Sequence, residues 1–139
     1  MLFRSGATRL INAATLTGAI GVALGLLNAG LFSNDDATVE QFTNILPVSG
    51  EKFWRMPCTD DYREQIRSQI ADIMNTGGSR YGGATTAAMF LKEFVGETPW
   101  IHLDIAGTAW IDEVKPWQSK GPSGMAVRSI TEWVRSYAS

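Results

Sequence analysis

A chain of 139 residues, 45% hydrophobic and 19% charged, suits one compact domain and excludes an intrinsically disordered protein. Twelve Lys and Arg residues against fourteen Asp and Glu residues give a net charge of −2, so no electrostatic feature points to a nucleic-acid partner. The single cysteine, Cys58, and the single histidine, His102, exclude an internal disulfide framework, a four-cysteine zinc module and a site built on several histidines.

The stretch Leu10–Phe32 carries no charged residue and allows two interpretations. It is long enough to span a membrane as one helix, or to act as a targeting segment. It also fits a buried strand over residues 9–14, a turn at Thr15–Gly18 and a short buried helix around residues 19–27, because buried strands read as continuous apolar runs. We favour the second interpretation, since the asparagines of the stretch would each need a polar partner in lipid.

Two helices are predicted in the middle of the chain. Residues 33–36 are a helix start signal, and the helix that they begin ends at residues 47–50. Its apolar positions are spaced as on one helix face: Val39, Phe42, Ile45 and Leu46. Asp60 or Asp61 can cap the second helix. The apolar face of that second helix is predicted to consist of Tyr62, Ile66, Ile70 and Ile73.

The last third of the chain mixes helices and a strand. Residues 84–95 read as a helix rich in small side chains, and the alternation in Trp100–Ala106 predicts a strand. Residues 116–124 read as a loop, and residues 124–137 as a closing helix. The apolar positions that this helix would present are Val127, Ile130, Val134 and Tyr137. Intermixed strands and helices predict an α/β layer structure.

Three features suit acid–base, metal or nucleophilic chemistry. Asp35 and Asp36 could act as paired carboxylates, although a helix N-cap explains them more simply. His102 and Asp104 share one face of the predicted strand and could bind one metal ion, but no third ligand is near in sequence. We favour a structural, hydrogen-bonded role for the histidine. Cys58 has no base nearby in sequence, which disfavours a nucleophilic role.

The turn Thr15–Gly18 is a candidate binding element. It follows a predicted buried strand, and ligands of α/β sheets bind outside the carboxyl ends of strands. Its backbone N–H groups could hold a polar substrate group, and a purely structural turn is the alternative. The glycine-dense run at residues 75–83 lacks the Gly-Lys-Ser/Thr ending of a phosphate-binding loop. Core packing is the simplest role for Trp54, Trp100 and Trp133, and a subunit interface is expected for some of the five tryptophans.

A resemblance to one family rests on several segments in a fixed order. They are Ala14–Ala19, Ala23–Gly25, Gly30–Asp36, Gly50–Pro57, Ala71–Asp72, Asn75–Gly77, Gly83–Val95, Trp100–Gly107 and Gly121–Arg128. Taken together over residues 10–137, they resemble the leucyl aminopeptidases, also called cytosol aminopeptidases. The resemblance implies an α/β fold, namely part of a mixed β-sheet flanked by helices and incomplete relative to the family catalytic domain. Residues 10–139 would be the C-terminal portion of that domain, and residues 1–9 stay unplaced.

Members of this family are cytoplasmic metallopeptidases that remove N-terminal residues, often leucine, from peptides. They use two divalent cations, zinc, manganese or magnesium, and usually assemble as hexamers. Their metal ligands and catalytic lysine and arginine lie in two motifs, one of them Asn-Thr-Asp-Ala-Glu-Gly-Arg, and neither motif occurs here. The resemblance therefore implies no metal ligand and no catalytic residue in this chain, and no peptidase activity for the chain alone. A non-catalytic interaction subunit that reuses the fold is the alternative.

The resemblance assigns substrate-binding positions to Thr15, Leu16, Gly18, Thr76, Ala106 and Ala109. The first three match the turn whose backbone lines the substrate and bicarbonate site, and the threonine at position 76 matches the leaving-group side. The two alanines match the pocket for the N-terminal side chain. Some members carry methionine at the position of Ala109, so this pocket is expected to be wider. Asn12 stands where many members have aspartate.

Overall fold

The structure, a computed structural model, describes residues 6–137. Residues 1–5 of the unplaced segment, and residues 138–139 of the expected domain, lie outside this range. The strands are β1 Leu10–Ala14, β2 Ala29–Ser33, β3 Phe53–Arg55, β4 Trp100–Asp104, β5 Trp110–Ile111 and β6 Gly121–Pro122. The α-helices are α1 Gly18–Leu24, α2 Asp36–Asn44, α3 Leu46–Ser49, α4 Gly83–Lys92 and α5 Val127–Arg135. A 3-10 helix covers Asp60–Ile66.

Four strands form one mixed sheet in the order β1-β4-β2-β3. Strand β4 pairs with β1 in parallel and with β2 antiparallel, while β3 pairs with β2 in parallel. Every residue of β2 and β4 is buried, because helices cover both faces of the sheet. The predicted fold class, a mixed sheet flanked by helices, is therefore confirmed. Strands β5 and β6 pair separately as a short antiparallel ladder.

Alternate residues of the central strands point into two apolar clusters. On one face, Leu31, Ile101 and Leu103 belong to a cluster that also contains Phe42 of α2 and Trp133 near the end of α5. On the opposite face, strand residues pack with the side chains of α1 and α4. The buried members of this second cluster are Ile20, Phe32, Ala84, Ala88, Val95 and Trp100.

The uncharged stretch Leu10–Phe32 folds as β1, α1 and β2, so the interpretation as a single membrane helix is wrong. Among residues 6–137, no helix is long and apolar enough to cross a bilayer. The expected full burial is also wrong. Strand β1 is half-buried because it pairs with β4 alone in the described sheet. Helix α1 buries only Ile20, whereas Val22 is 91% exposed on the opposite side.

The predicted second helix is much shorter than expected. The 3-10 helix ends at Ile66, because Arg67 adopts an extended conformation with ψ of 134°. Beyond it, the hydroxyl of Ser68 accepts hydrogen bonds from the N–H groups of Ile70 and Ala71, which offers the backbone an alternative to helix. Ile70 is consequently 98% exposed instead of lying on a buried face. The N-cap position is occupied by Thr59, and Asp60 and Asp61 lie in the first turn.

The closing helix presents a different face from the predicted one. Helix α5 buries Ser129 and Trp133 and leaves Val127, Val134 and Tyr137 exposed. Among the predicted positions, Ile130 does pack against the first cluster. The rotation follows from the large apolar area of the indole ring and from a hydrogen-bonded contact between Ser129 and buried Glu51.

Two of the three predicted core tryptophans are buried, Trp100 and Trp133. The prediction for Trp54 is wrong, because this residue alternates with buried Phe53 on the edge strand β3 and is 62% exposed. The helix predicted to begin at residues 33–36 also ends earlier than expected. Helix α2 stops at Asn44, and the proline at position 47 fits the first turn of the short helix α3.

Candidate functional site

The predicted binding turn lies where two neighbouring parallel strands end. Ala14 at the end of β1 and Asp104 at the end of β4 are register partners. The carboxylate Oδ1 of Asp104 accepts hydrogen bonds from the N–H groups of Leu16 at 3.2 Å, Thr17 at 3.4 Å and Ala106 at 3.2 Å. Its Oδ2 accepts one from the Thr17 hydroxyl at 2.6 Å. Asp104 therefore contacts both the turn after β1 and the turn after β4.

These contacts correct one expectation about the turn. The N–H groups of Leu16 and Thr17 already donate to Asp104, so they do not present themselves to a polar substrate group. The Thr17 hydroxyl also accepts a hydrogen bond from the N–H of Ile20 at 3.1 Å and so caps helix α1. The turn thus has a structural function in addition to its position at the sheet edge.

A cavity of about 390 Å³ opens beside this turn. One side is formed by Leu16 and Gly18, and the other by Thr76 and the first turns of α4, which include Thr86. Three of the residues that the family resemblance assigned to substrate binding, Leu16, Gly18 and Thr76, thus line the same space. The glycine-dense run reaches this wall at Gly77, which lies against helix α4: a Cβ there would lie 3.5 Å from the Thr86 side chain, an ordinary van der Waals distance.

The other three assigned residues, Thr15, Ala106 and Ala109, are not among the residues that line this cavity. Thr15, the first residue of the turn, is exposed. Ala106 is held by its N–H to Asp104 and packs against the second cluster. The carbonyl of Ala109 accepts a hydrogen bond from the N–H of Ser123 at 2.9 Å, which ties the chain after β4 to the β6 strand region. The wider pocket expected at Ala109 stays a prediction.

His102 has a structural environment, as the sequence favoured. Its Nδ1 accepts a hydrogen bond from the Asn12 side-chain amide at 2.8 Å, and Asn12 in turn accepts one from the Trp100 indole at 2.8 Å. The rings of Phe32 and Trp100 stack on the imidazole with centroids 5.9 and 6.2 Å away. Burial lowers the pKa of His102 from 6.5 to about 4, against an opposing effect of the Asp104 charge. The imidazole is therefore neutral at pH 7.

The described residues do not fit a two-cation centre. Within residues 6–137, no three His, Cys, Asp or Glu side chains cluster in a way that could hold an ion. Both carboxylate oxygens of Asp104 already accept hydrogen bonds, and the Nδ1 atom of His102 accepts one from Asn12. The predicted shared metal site of His102 and Asp104 thus lacks a third ligand in the described part of the chain, and among its donor atoms only Nε2 of His102 has no hydrogen-bond partner.

The remaining candidates have other roles. Asp35 is the N-cap of α2, and its hydrogen bonds from Thr38 hold the pKa of the carboxyl below its usual value. Asp36 forms a surface ion pair with Arg55. Cys58 is partly buried, and this burial raises the pKa of its thiol, which disfavours the nucleophilic thiolate.

Sequence reasoning missed the importance of Asp104 for this site. The sequence suggests Asp104 only as a partner of His102 for a metal ion. Its contacts with Leu16 and Thr17 join residues 88 and 87 positions apart, so no local pattern in the sequence announces them. The sequence does show an aspartate at the end of one predicted strand and a Thr-x-Thr-Gly turn at the end of another. These two features indicate a contact only when the two strands are known to be neighbours.

Comparisons with known proteins agree on one family. The sequence model of the cytosol aminopeptidase family, catalytic domain, matches residues 2–131. A "probable cytosol aminopeptidase" of Acidobacterium capsulatum is 68% identical over 96% of this chain and 26% of its own length. The corresponding protein of Koribacter versatilis is 67% identical over 95% of this chain and 26% of its length. The chain thus spans about a quarter of the length of these curated relatives.

The fold comparison gives the same result. A solved structure of a tomato leucine aminopeptidase mutant superposes with a TM-score of 0.87 and 44% sequence identity, covering 95% of this chain and 25% of that one. This chain belongs to the cytosol aminopeptidase family and corresponds to the C-terminal part of the catalytic domain.

Proposed function

We propose that this chain forms one wall of the substrate cavity of a metal-dependent aminopeptidase that removes N-terminal residues, often leucine, from peptides. The observation that carries the proposal is the cavity of about 390 Å³ in which Leu16, Gly18 and Thr76 face one space. These residues come from two segments far apart in sequence, and the family resemblance assigns both segments to substrate binding. Family membership over residues 2–131 supports the reaction class.

The turn after β4 supplies the neighbouring part of the proposed wall. Ala106 and Ala109 would border the pocket for the N-terminal side chain, because Asp104 ties their segment to the turn that contains Leu16. Thr15 would lie at the entrance, where it is exposed. Small side chains at positions 106 and 109 leave room for a branched apolar side chain such as that of leucine.

The two divalent cations of the proposed enzyme, zinc or manganese, would activate a water molecule and polarise the scissile carbonyl. The described residues do not fit such a centre, so the ions would be held by polypeptide other than residues 6–137. We propose accordingly that the 139-residue chain has no peptidase activity by itself. It would act within a homo-oligomer such as the family hexamer or with a complementing chain, in the cytoplasm, as the names of its relatives suggest.

A chimeric enzyme tests this proposal. The matching quarter of the Acidobacterium capsulatum relative is replaced by this chain, and hydrolysis of leucine p-nitroanilide is measured with added manganese for the chimera, the parent protein and the isolated chain. We expect activity from the chimera and the parent protein and none from the isolated chain. A correctly assembled, metal-loaded chimera without activity would overturn the proposal and favour the non-catalytic interaction subunit. Activity of the isolated chain would overturn the claim that the ions are held elsewhere.

Two variants distinguish the effect of a residue that lines the cavity from that of a residue elsewhere on the surface. Leu16→Ala shortens a side chain that lines the cavity and should raise the KM of the chimera for leucine p-nitroanilide. Leu27→Ala is the same substitution at a position that is 74% exposed and does not line this cavity, and it should leave the KM unchanged. Equal KM values for both variants would contradict the placement of the cavity at the substrate.

A further inference from the structure

We propose that Asp104 is a positioning residue that holds the turn Thr15–Gly18 and the chain after β4 in the arrangement that substrate binding requires. The inference deepens the proposed function and rests on it for its kinetic consequence.

Asp104 contacts two segments that are far apart in the sequence. Four hydrogen bonds converge on one carboxylate: three from the N–H groups of Leu16, Thr17 and Ala106, and one from the Thr17 hydroxyl. Leu16 and Thr17 belong to the turn after β1, whereas Ala106 belongs to the chain after β4. One side chain thus fixes the relative positions of the two segments to which substrate binding is assigned.

The carboxylate of Asp104 is fully buried. Within residues 6–137, no Lys or Arg forms an ion pair with it. The adjacent His102 is neutral at pH 7, so it contributes no positive charge. The backbone N–H groups and the Thr17 hydroxyl therefore provide the stabilisation that a buried carboxylate needs. Removing the carboxylate would leave the same donors without their acceptor.

The segment after Asp104 also contacts the far end of helix α1. A Cβ atom on Gly107 would lie 2.5 Å from the carbonyl oxygen of Gly25 and 3.3 Å from the Cα of Gly21. Helix α1 is therefore fixed at its start by the contact between Thr17 and Asp104, and near its end by the close approach of Gly107. Because the first turn of α1 lines the cavity, displacement of this helix changes the shape of the cavity.

Amide hydrogen exchange in the 139-residue chain tests the local part of the proposal. Asp104→Asn should accelerate exchange at Leu16 and Thr17 by about tenfold or more, since a hydrogen bond to a charged group contributes enough to produce such a factor. Asp112→Asn, the same substitution at an exposed position, should leave these amides unchanged. Unchanged exchange at Leu16 and Thr17 in Asp104→Asn would overturn the proposal.

Two variants of Thr17 serve if Asp104→Asn fails to fold. Thr17→Val removes the hydroxyl that donates to Asp104 and caps α1, whereas Thr17→Ser retains it. We expect faster exchange at Leu16 in Thr17→Val and restoration of slow exchange in Thr17→Ser. Equal exchange in the two variants would overturn the proposal.

The chimeric enzyme tests the functional part. Asp104→Asn and Thr17→Val should raise the KM for leucine p-nitroanilide by about tenfold while kcat changes by less than about threefold and the metal content stays the same, as for lost ground-state positioning. Faster exchange with an unchanged KM would overturn the positioning role and leave the proposed function intact. An inactive chimera with the unaltered sequence would overturn the proposed function, and the exchange data would still decide whether Asp104 holds the turn.

Discussion

Glu51 connects the chain before β3 to helix α5, and its removal gives the most quantitative test of the fold. Its side chain is 3% exposed, and Oε2 accepts hydrogen bonds from the N–H of Ser129 at 2.9 Å and from the Ser129 hydroxyl at 2.5 Å. The N–H of Ser129 is one of the groups that the first turn of a helix leaves without an internal partner. Glu51 therefore caps α5 from a position 78 residues earlier in the chain.

Glu51→Ala should lower the free energy of unfolding by about 3 kcal/mol, since it removes charge-assisted hydrogen bonds and leaves a buried N–H unsatisfied. The hydroxyl of Ser129 can still donate to Ser49, 2.9 Å away, which limits the loss. Arg128 adds little, because it lies 3.8 Å from the carboxylate and is 70% exposed. Glu51→Gln, which retains one carbonyl oxygen, should lose about 1 kcal/mol.

Urea unfolding followed by tryptophan fluorescence measures these changes, because buried Trp133 lies one helical turn from Ser129. Glu40→Ala at an exposed position of α2 is the control, and it should change stability by less than about 0.5 kcal/mol. A loss in Glu51→Ala no larger than that in Glu40→Ala would refute the assignment of Glu51 as a cap of α5.

Three further changes have defined outcomes. Between pH 6.5 and about 4 only the unfolded chain protonates His102, so stability should fall by about 3 kcal/mol across this window in urea titrations, and His102→Gln should abolish this slope. Asn12→Asp should raise the pKa of the imidazole in an NMR titration, because it places a carboxylate against Nδ1. Gly107→Ala should cost about 2 kcal/mol through its clash with the carbonyl of Gly25, whereas Gly78→Ala, in open space, should change the thermal midpoint little.

Local sequence patterns predicted the elements whose side chains alternate or repeat regularly. The alternation in Trp100–Ala106 identified β4, and the Asp35 cap identified the start of α2. The patterns gave the wrong helix end or the wrong buried face where a competing local hydrogen bond, or a contact with a residue distant in sequence, determined the structure. The spacing of Ile66 and Ile70 suited a helix, but the Ser68 hydroxyl binds the following backbone N–H groups and the helix ends first.

The candidate site was predictable only in part for the same reason. The family resemblance, and not the residue chemistry, brought Leu16, Gly18 and Thr76 together before the structure placed them around one cavity. The contact between Asp104 and the turn after β1 depends on strand pairing, which no hydropathy pattern specifies. Likewise, the exposed face of α5 follows from the Glu51 contact with Ser129, and the spacing of Val127 and Val134 alone suggested the opposite orientation.

The central place of β4 in the sheet has a consequence for synthesis on the ribosome. Strand β4 pairs with both β1 and β2. Asn12 of β1 and its partner His102 of β4 are 90 positions apart in the sequence. At ordinary translation rates, β1 emerges roughly 5 to 20 seconds before the strand that will cover its edge exists. During this delay the apolar residues of Leu10–Phe32 lack the packing partners that β4 provides in the folded chain. We therefore expect the yield of folded protein in cells to depend more on the translation speed of codons 33 to 104 than on the translation speed of the codons after β4.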